Sequence, residues 1–358
     1  MPIAFSARPA PRTSGGPGRR PAGRAPLAAT VVALATAAAF LGFTGAAAAS
    51  SGVCQAAYHA TDGDLAIYNT GTGAADLGVA MAPGTSPAIA SLTVGGYEEA
   101  FQGTDGALWL DMPSSGAVDT GQGMAPNTSP AIIPQPNGGY ETAFQANTGV
   151  LIVYGDGAVV NTDLGMMADT SPSITETAAG GFEVAFEANN GVLWFYSLAT
   201  GGQDTGQGMA RDTSPAITAL AAGGFESAFQ ANTGKLIVLG NGGNVTTGQA
   251  MVAGTSPSIA GIYSPYSGMP AFQVVYQGPG DTPGDPNAAS DWDYVIGGTP
   301  SFLDLGWEGS SPAIATNTSG ALETAFDLAD NYLGLEGSAA IGTTTLTVAG
   351  ITSAAVAC

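Results

Sequence analysis

Short apolar runs separated by Gly-containing turns recur along the chain from Ala56 to its end. In one stretch, SPAIAS from Ser86 to Ser91 is followed by a Gly95-Gly96 turn and by YEEAFQ from Tyr97 to Gln102. Asp105-Gly106 turns the chain again before ALWLD, and a looser loop leads to VDTGQGM. Asp-Gly and Gly-Gly pairs between short apolar runs mark hairpins, because such turns need positive φ. The second turn returns as Asp62-Gly63, Thr148-Gly149, Asn190-Gly191 and Thr233-Gly234. The pattern predicts four short antiparallel strands per unit, and only the first fifty residues lack it.

The unit repeats. Ser-Pro pairs begin at Ser86, Ser129, Ser171, Ser214, Ser256 and Ser311, at spacings of 43, 42, 43, 42 and 55 residues. A strand-centred aromatic occurs seven times, as Tyr58, Phe101, Phe144, Phe186, Phe229, Tyr276 and Phe326. The missing seventh Ser-Pro strand is at the C-terminus. Thr352 to Cys358 (TSAAVAC) matches Thr85 to Ser91 (TSPAIAS), and Val348 falls where Met81, Met124, Met166, Met209 and Met251 fall. Seven four-stranded units predict an all-β fold, a seven-bladed β-propeller with antiparallel blades. The C-terminal strand is expected to pair with the N-terminal blade in a 3+1 closure, which leaves no open sheet edge. In that alignment Cys358 takes the place of Ser91 and Cys54 that of Tyr97, two residues flanking a hairpin loop. A Cys54–Cys358 disulfide follows as an expectation.

The ends also set the domain limits. Arg8, Arg12, Arg19, Arg20 and Arg24 precede an Ala-rich apolar stretch that ends in Ala46 to Ala49. This reads as a signal peptide over 1–49 and places the protein outside the cell. Residues 50–358 read as one propeller domain, with a Pro- and Gly-rich loop insert at 278–293. The Met positions read as packing between blades.

Charge narrows the partners. Without the leader only Arg211 and Lys235 stand against 28 acids, a net charge of −26. Such a surface repels phosphate backbones and anionic lipid, so nucleic acid and membrane are poor partners.

Catalytic chemistry is thin. His59 is the one histidine, at a position held elsewhere by Gln102, Gln145, Glu187, Gln230, Gln277 and Asp327. No His-based triad or Cys/His zinc set can be assembled, and no cofactor motif occurs. Two sets of acids repeat with the units: Glu98, Glu141, Glu183, Glu226 and Glu323, and Asp76, Asp119, Asp163, Asp204 and Asp304. A catalytic pair breaks a repeat's symmetry, whereas repeated acids bond backbone groups. Asp281, Asp285, Asp291 and Asp293 of the insert match no calcium loop and read as solvated.

Repetition favours binding. Sugars take an aromatic face for their C–H groups and amides or acids for their hydroxyls. Trp109 and Trp194, with Glu98, Glu141, Glu183, Glu226 and Gln102, Gln145, Gln230, offer these types in register.

SPAIAS…YEEAFQGTDGALWLD resembles the repeat of bacterial seven-bladed propeller lectins of the PLL type, which bind fucose and related sugars. DTGQGMA…TSPAI is also similar to repeats in secreted actinobacterial proteins. The resemblance implies a lectin-like function in grooves between blades. The family commonly grips sugar with arginine, and this chain keeps Gln102 where basic residues are frequent, which weighs against fucose itself and leaves neutral glycans as the expected ligand class. The expectation is a secreted, non-catalytic carbohydrate-binding protein. A structural or protein-interaction ring and a glycoside hydrolase with a carboxylate pair are the alternatives.

Overall fold

The computed structural model describes residues 54–358 apart from 70, 156, 179, 242, 263–270, 280–288, 296–299, 305–308, 318–319, 328–331, 338–341 and 350–351. The expected signal peptide at 1–49 lies outside the described residues.

Among those residues the regular elements are all strands. The first blade holds β1 (Gln55–His59), β2 (Asp64–Asn69) and β3 (Gly73–Ala80). The second holds β4 (Ala88–Ser91), β5 (Tyr97–Gln102), β6 (Ala107–Met112) and β7 (Gly116–Gly123). The third runs β8 (Ala131–Pro134), β9 (Tyr140–Gln145), β10 (Val150–Gly155) and β11 (Ala158–Gly165). The fourth runs β12 (Ser173–Glu176), β13 (Phe182–Glu187), β14 (Val192–Ser197) and β15 (Gly201–Gly208). The fifth runs β16 (Ala216–Ala219), β17 (Phe225–Gln230), β18 (Lys235–Gly240) and β19 (Gly243–Ala250). The sixth is β20 (Ser258–Ile262), β21 (Ala271–Pro279), β22 (Ala289–Val295) and β23 (Ser301–Asp304). The seventh is β24 (Ala313–Thr316), β25 (Leu322–Asp327), β26 (Tyr332–Gly337) and β27 (Gly342–Thr347), and β28 (Ala355–Ala357) completes the first.

Each blade is a four-stranded antiparallel sheet, seven in all. The first strands of successive blades are neighbours all the way round, β4 to β8 to β12 to β16 to β20 to β24 to β28 and back to β4. The ring therefore closes. At the seam β28 pairs β1 with Gln55 opposite Ala357 and Ala57 opposite Ala355, and Cys54 is disulfide-bonded to Cys358.

The Thr-Ser-Pro signature has a physical reason. Each serine hydroxyl accepts the backbone N–H of the serine one blade before: Ser86 to Ser129, Ser129 to Ser171, Ser171 to Ser214, Ser214 to Ser256, Ser256 to Ser311, Ser311 to Ser353 and Ser353 to Ser86. The threonine before it bonds the carbonyl three residues back, as Thr128 Oγ1 does to Ala125. Proline after the serine brings no further N–H into this narrow belt. The residue before the threonine needs positive φ, which explains Asn127 (φ 58°), Asp169 (63°) and Asp212 (59°) at that point.

The core lies between blades. The central aromatics Tyr58, Phe101, Phe144, Phe186 and Phe229 are fully buried, as are Leu65, Leu108, Leu151, Leu193 and Leu236. Each such side chain contributes roughly 1.5–3 kcal/mol on burial. The clusters mix neighbours, with Leu65 and Met81 of one blade packed against Phe101 of the next. The methionine series is buried as expected. Gly123, Gly165 and Gly208 let the sheets approach, since a Cβ on any of them would strike Asn147, Asn189 or Asn232 of the next blade.

Two expectations change. The insert at 278–293 is not a loop throughout: β21 runs to Pro279 and pairs β22 from Ala289, so Asp291 and Asp293 are strand residues. Asp291 is fully buried in the place of the core leucines, because its partner Gln277 is the counterpart of Gln102, which faces Leu108. Asp281 and Asp285 lie outside the described residues. Asp163 also leaves its series. Opposite Ile152, where Trp109 faces Asp119, stands Asn161, and Asp163 takes the positive-φ place of Gly121.

Candidate functional site: the grooves between blades

The repeated polar residues are mostly inside. Gln102, Gln145 and Gln230 are buried and donate Nε2 to the carbonyls of Ala125, Met167 and Val252, at 3.0–3.1 Å. Those carbonyls sit in the links leading to the next blade, so the glutamines are inter-blade ties. His59 reaches the same link at another point, with Nδ1 3.1 Å from the Thr85 carbonyl, three residues past the counterpart of Ala125. Glu98, Glu183 and Glu226 are buried and Glu141 is half-buried. Glu183 accepts a hydrogen bond from Ser197, and burial raises its carboxyl above the ordinary range. The carboxylates of Glu141 and Glu226 lie against Gly155 and Gly240. Of the other set, Asp76, Asp119 and Asp204 accept the backbone N–H of Gly78, Gly121 and Gly206 at 2.7–2.8 Å.

Trp109 and Trp194 are half-buried, each beside its blade aromatic, with ring centroids 6.4 and 6.5 Å from Phe101 and Phe186. Trp109 also donates Nε1 to Asp105 at 3.1 Å. Register adds a third member to this series: Trp292 faces Tyr276 as Trp109 faces Phe101. Tryptophan therefore marks the second, fourth and sixth blades. The 55-residue spacing hid Trp292 from alignment. It lines a cavity of about 320 Å³ with Gln249 and Ala250 of the fifth blade and Tyr276, Gly278, Pro279 and Pro300 of its own.

A more polar cavity, about 480 Å³, opens between the fourth and fifth blades. Its rim is exposed: Asn190 from the β13–β14 turn, Asn232 from the β17–β18 turn and Arg211 from the link to β16. Its floor is buried, with Glu187 and Met209, and Met167 forms a wall. Glu187 stands where four other blades have glutamine, so it has no amide N–H for the Ala210 carbonyl, the counterpart of Ala125. Burial, and secondarily the charge of Asp212, raises the Glu187 carboxyl to about 7. Its Oε2 has no hydrogen-bond partner among the described residues.

The cavity thus unites one of the two basic residues of the propeller with one of the two acids, Glu187 and Asp327, that break the glutamine series. Two departures from the repeat converging on one blade junction were the available signal in the sequence. Chemically the cavity offers a fixed cationic donor, two amides that donate and accept, a carboxyl able to do either near neutral pH, and apolar methionine surface.

No protein-family model matches this chain, and no curated protein does. Solved structures do. Aleuria aurantia lectin in complex with α-methyl-L-fucoside is similar over 74% of this chain and 95% of its own, at 13% identity and TM-score 0.51. The same lectin in complex with Fucα1-6GlcNAc matches over 74% and 96%, at 12% identity and TM-score 0.50. Virginiamycin B lyase from Staphylococcus aureus matches over 74% and 85%, at 12% identity and TM-score 0.47. At these identities the likeness is one of fold: the chain is a propeller built like those of known lectins.

Proposed function

We propose that this protein is a secreted, non-catalytic carbohydrate-binding propeller that takes neutral glycans in its inter-blade grooves. The observation that carries the reading is the convergence of Arg211, Glu187, Asn190 and Asn232 on one cavity. These groups match the hydroxyls of a sugar ring, and the methionines match its C–H face. The tryptophan series supplies further grooves of aromatic character at Trp109, Trp194 and Trp292, so several weaker sites would act together on a multivalent glycan. Gln102, Gln145 and Gln230 frame these grooves by tying blade to blade, while Glu98, Glu141, Glu183 and Glu226 stand on the same strands. The acids that repeat are buried or cap turns, which favours binding over hydrolysis. The disulfide at the seam fits an oxidising compartment outside the cell.

A neutral-glycan array probed with the disulfide-bonded protein tests this. Saturable binding that free sugar competes away supports it. An array with no binder at high protein concentration sinks it in favour of a structural ring, and sugar release during the assay would point to a hydrolase.

A further inference from the structure

The cavity between the fourth and fifth blades differs from the glutamine-tied junctions in what its floor lacks. Gln102, Gln145 and Gln230 each place an amide N–H 3.0–3.1 Å from a link carbonyl. At the fourth blade a carboxyl takes that place, and both Glu187 and Ala210 line the cavity. The Ala210 carbonyl keeps the Thr213 hydroxyl at 2.9 Å, as Ala125 keeps that of Thr128 at 2.8 Å, so only the amide donor is missing. Gln145 and Gln230 also leave Oε1 without a partner among the described residues, but each spends its N–H on the link. Glu187 has no N–H to spend. Its Oε2 is buried and unpartnered among the described residues, and the carbonyl of Ala210 is a second acceptor beside it. A cavity that ends in two acceptors calls for a donor from whatever enters it.

The wall departs from the repeat as well. Met167 stands where the other links carry Ala82, Ala125, Ala210 and Val252. Its long side chain reaches the carboxyl: a Cβ on Gly191 would stand 3.8 Å from Glu187 Oε1 and 4.0 Å from Met167 Cε. A methyl group and a carboxyl oxygen therefore adjoin one small space. The rim, in contrast, donates. Arg211 carries only N–H donors, and Asn190 has its Oδ1 engaged with the Val192 N–H at 3.2 Å, which leaves its amide N–H groups to offer. Met167, Glu187 and Arg211 are three departures from the repeat that meet in one cavity.

Acceptors at the floor, a methyl at the wall and donors at the rim narrow the chemistry of a ligand. A plain hydroxyl serves the floor but sets nothing apolar against Met167. An ammonium serves the floor but brings a like charge to Arg211. A secondary amide with a methyl group serves all three. Its N–H and C=O point in opposite directions across a planar unit, which suits an acceptor below and donors above. On the reading that these grooves take glycans, we propose that this cavity is the subsite for a 2-acetamido sugar, with the amide N–H on Glu187, the amide carbonyl toward Arg211 and Asn190, and the acetyl methyl on Met167. The cavity, about 480 Å³, has the size of a small-molecule pocket and takes a pyranose ring with its acetamido group.

Calorimetric titration of matched methyl glycosides into the disulfide-bonded protein tests this. The pairs are N-acetylglucosamine with glucose and N-acetylgalactosamine with galactose, which differ within each pair only at the second carbon. At pH 8 the Glu187 carboxyl is above its value of about 7 and carries no proton of its own to donate. In at least one pair the acetamido sugar is expected to bind about tenfold or more tighter than its partner, as fits a hydrogen bond to a charged acceptor. Glu187→Gln copies Gln102 and should bring the pair close to equal, because the amide closes the floor. Met167→Ala copies Ala125 and should narrow the ratio by removing the wall. Both variants restore residues of the second blade, so the fold is kept. Saturable binding with equal affinity in both pairs overturns the subsite and leaves the glycan reading standing. A preference that persists unchanged in Glu187→Gln, folded by circular dichroism, also overturns it, because the acetamido group is then held elsewhere. No saturable binding of any sugar removes the glycan reading and the subsite together. If Glu187→Gln melts early, Met167→Ala is read in its place by the same criterion.

Discussion

The backbone N–H of Ser353 donates to the hydroxyl of Ser86 at 2.8 Å, across 267 positions of sequence. This bond is the last of seven of the same kind, and it joins the final strand of the chain to the second blade. The belt of serines therefore closes independently of the disulfide at the first blade's own seam.

Removing one hydroxyl from the belt leaves a backbone N–H facing a methyl group. Ser86→Ala is expected to cost about 1–3 kcal/mol. Ser91→Ala, just outside the belt, should cost less than half as much. Chemical denaturation of both variants measures the difference.

The disulfide acts on the unfolded chain. Cys54 and Cys358 close a loop of 304 residues, and chain entropy alone gives an upper bound of roughly 5–6 kcal/mol. Reduction should lower the thermal midpoint and loosen β28 from β1 before other strands. Hydrogen exchange under reducing conditions should show Ala355 to Ala357 losing protection first, while the serine belt keeps the remaining blades protected.

Two buried carboxyls give stability a pH dependence. Glu99 is raised to about 7, by burial first and then by Asp111, against the bond that Gln55 Nε2 donates to it at 2.7 Å. Glu187 is also raised to about 7. Both bind their protons more tightly folded than unfolded. Their contribution is therefore fully present below the unfolded value of 4.5 and is lost as pH rises through about 7. The thermal midpoint of the wild type should fall more steeply between pH 5 and pH 8 than that of a Glu99→Gln, Glu187→Gln double variant. At pH 8 the Glu187→Gln change alone should stabilise, because it supplies an amide N–H for the Ala210 carbonyl, as Gln102 does for Ala125.

The ring was legible because its signals are local and repeated. Asp-Gly and Asn-Gly turns, a central aromatic and Thr-Ser-Pro each mark one place in a blade, and the ends aligned residue by residue. The role of the glutamines was not legible. Gln102 looks like a ligand-binding amide on a strand, and only the placement of the Ala125 carbonyl in the next link shows that it is an internal tie. Trp292 was hidden because the lengthened β21–β22 hairpin shifts the spacing, so that register had to replace counting. The cavity at Glu187 and Arg211 could have been found in the sequence by asking where the repeat is broken twice at one junction.

Saturation titration of neutral monosaccharides and their methyl glycosides, compared between the wild type and Arg211→Ala, tests the central claim most directly. Arg211 is exposed and takes part in the link without filling the core, so the variant should fold and melt as the wild type does. A wild type that binds sugar saturably, and a variant that loses at least about tenfold at its strongest site, is the expected result, as fits removal of a charged hydrogen-bond donor. Equal affinity in the two proteins would remove the cavity between the fourth and fifth blades from the account, and no saturable sugar binding by the wild type would contradict it altogether.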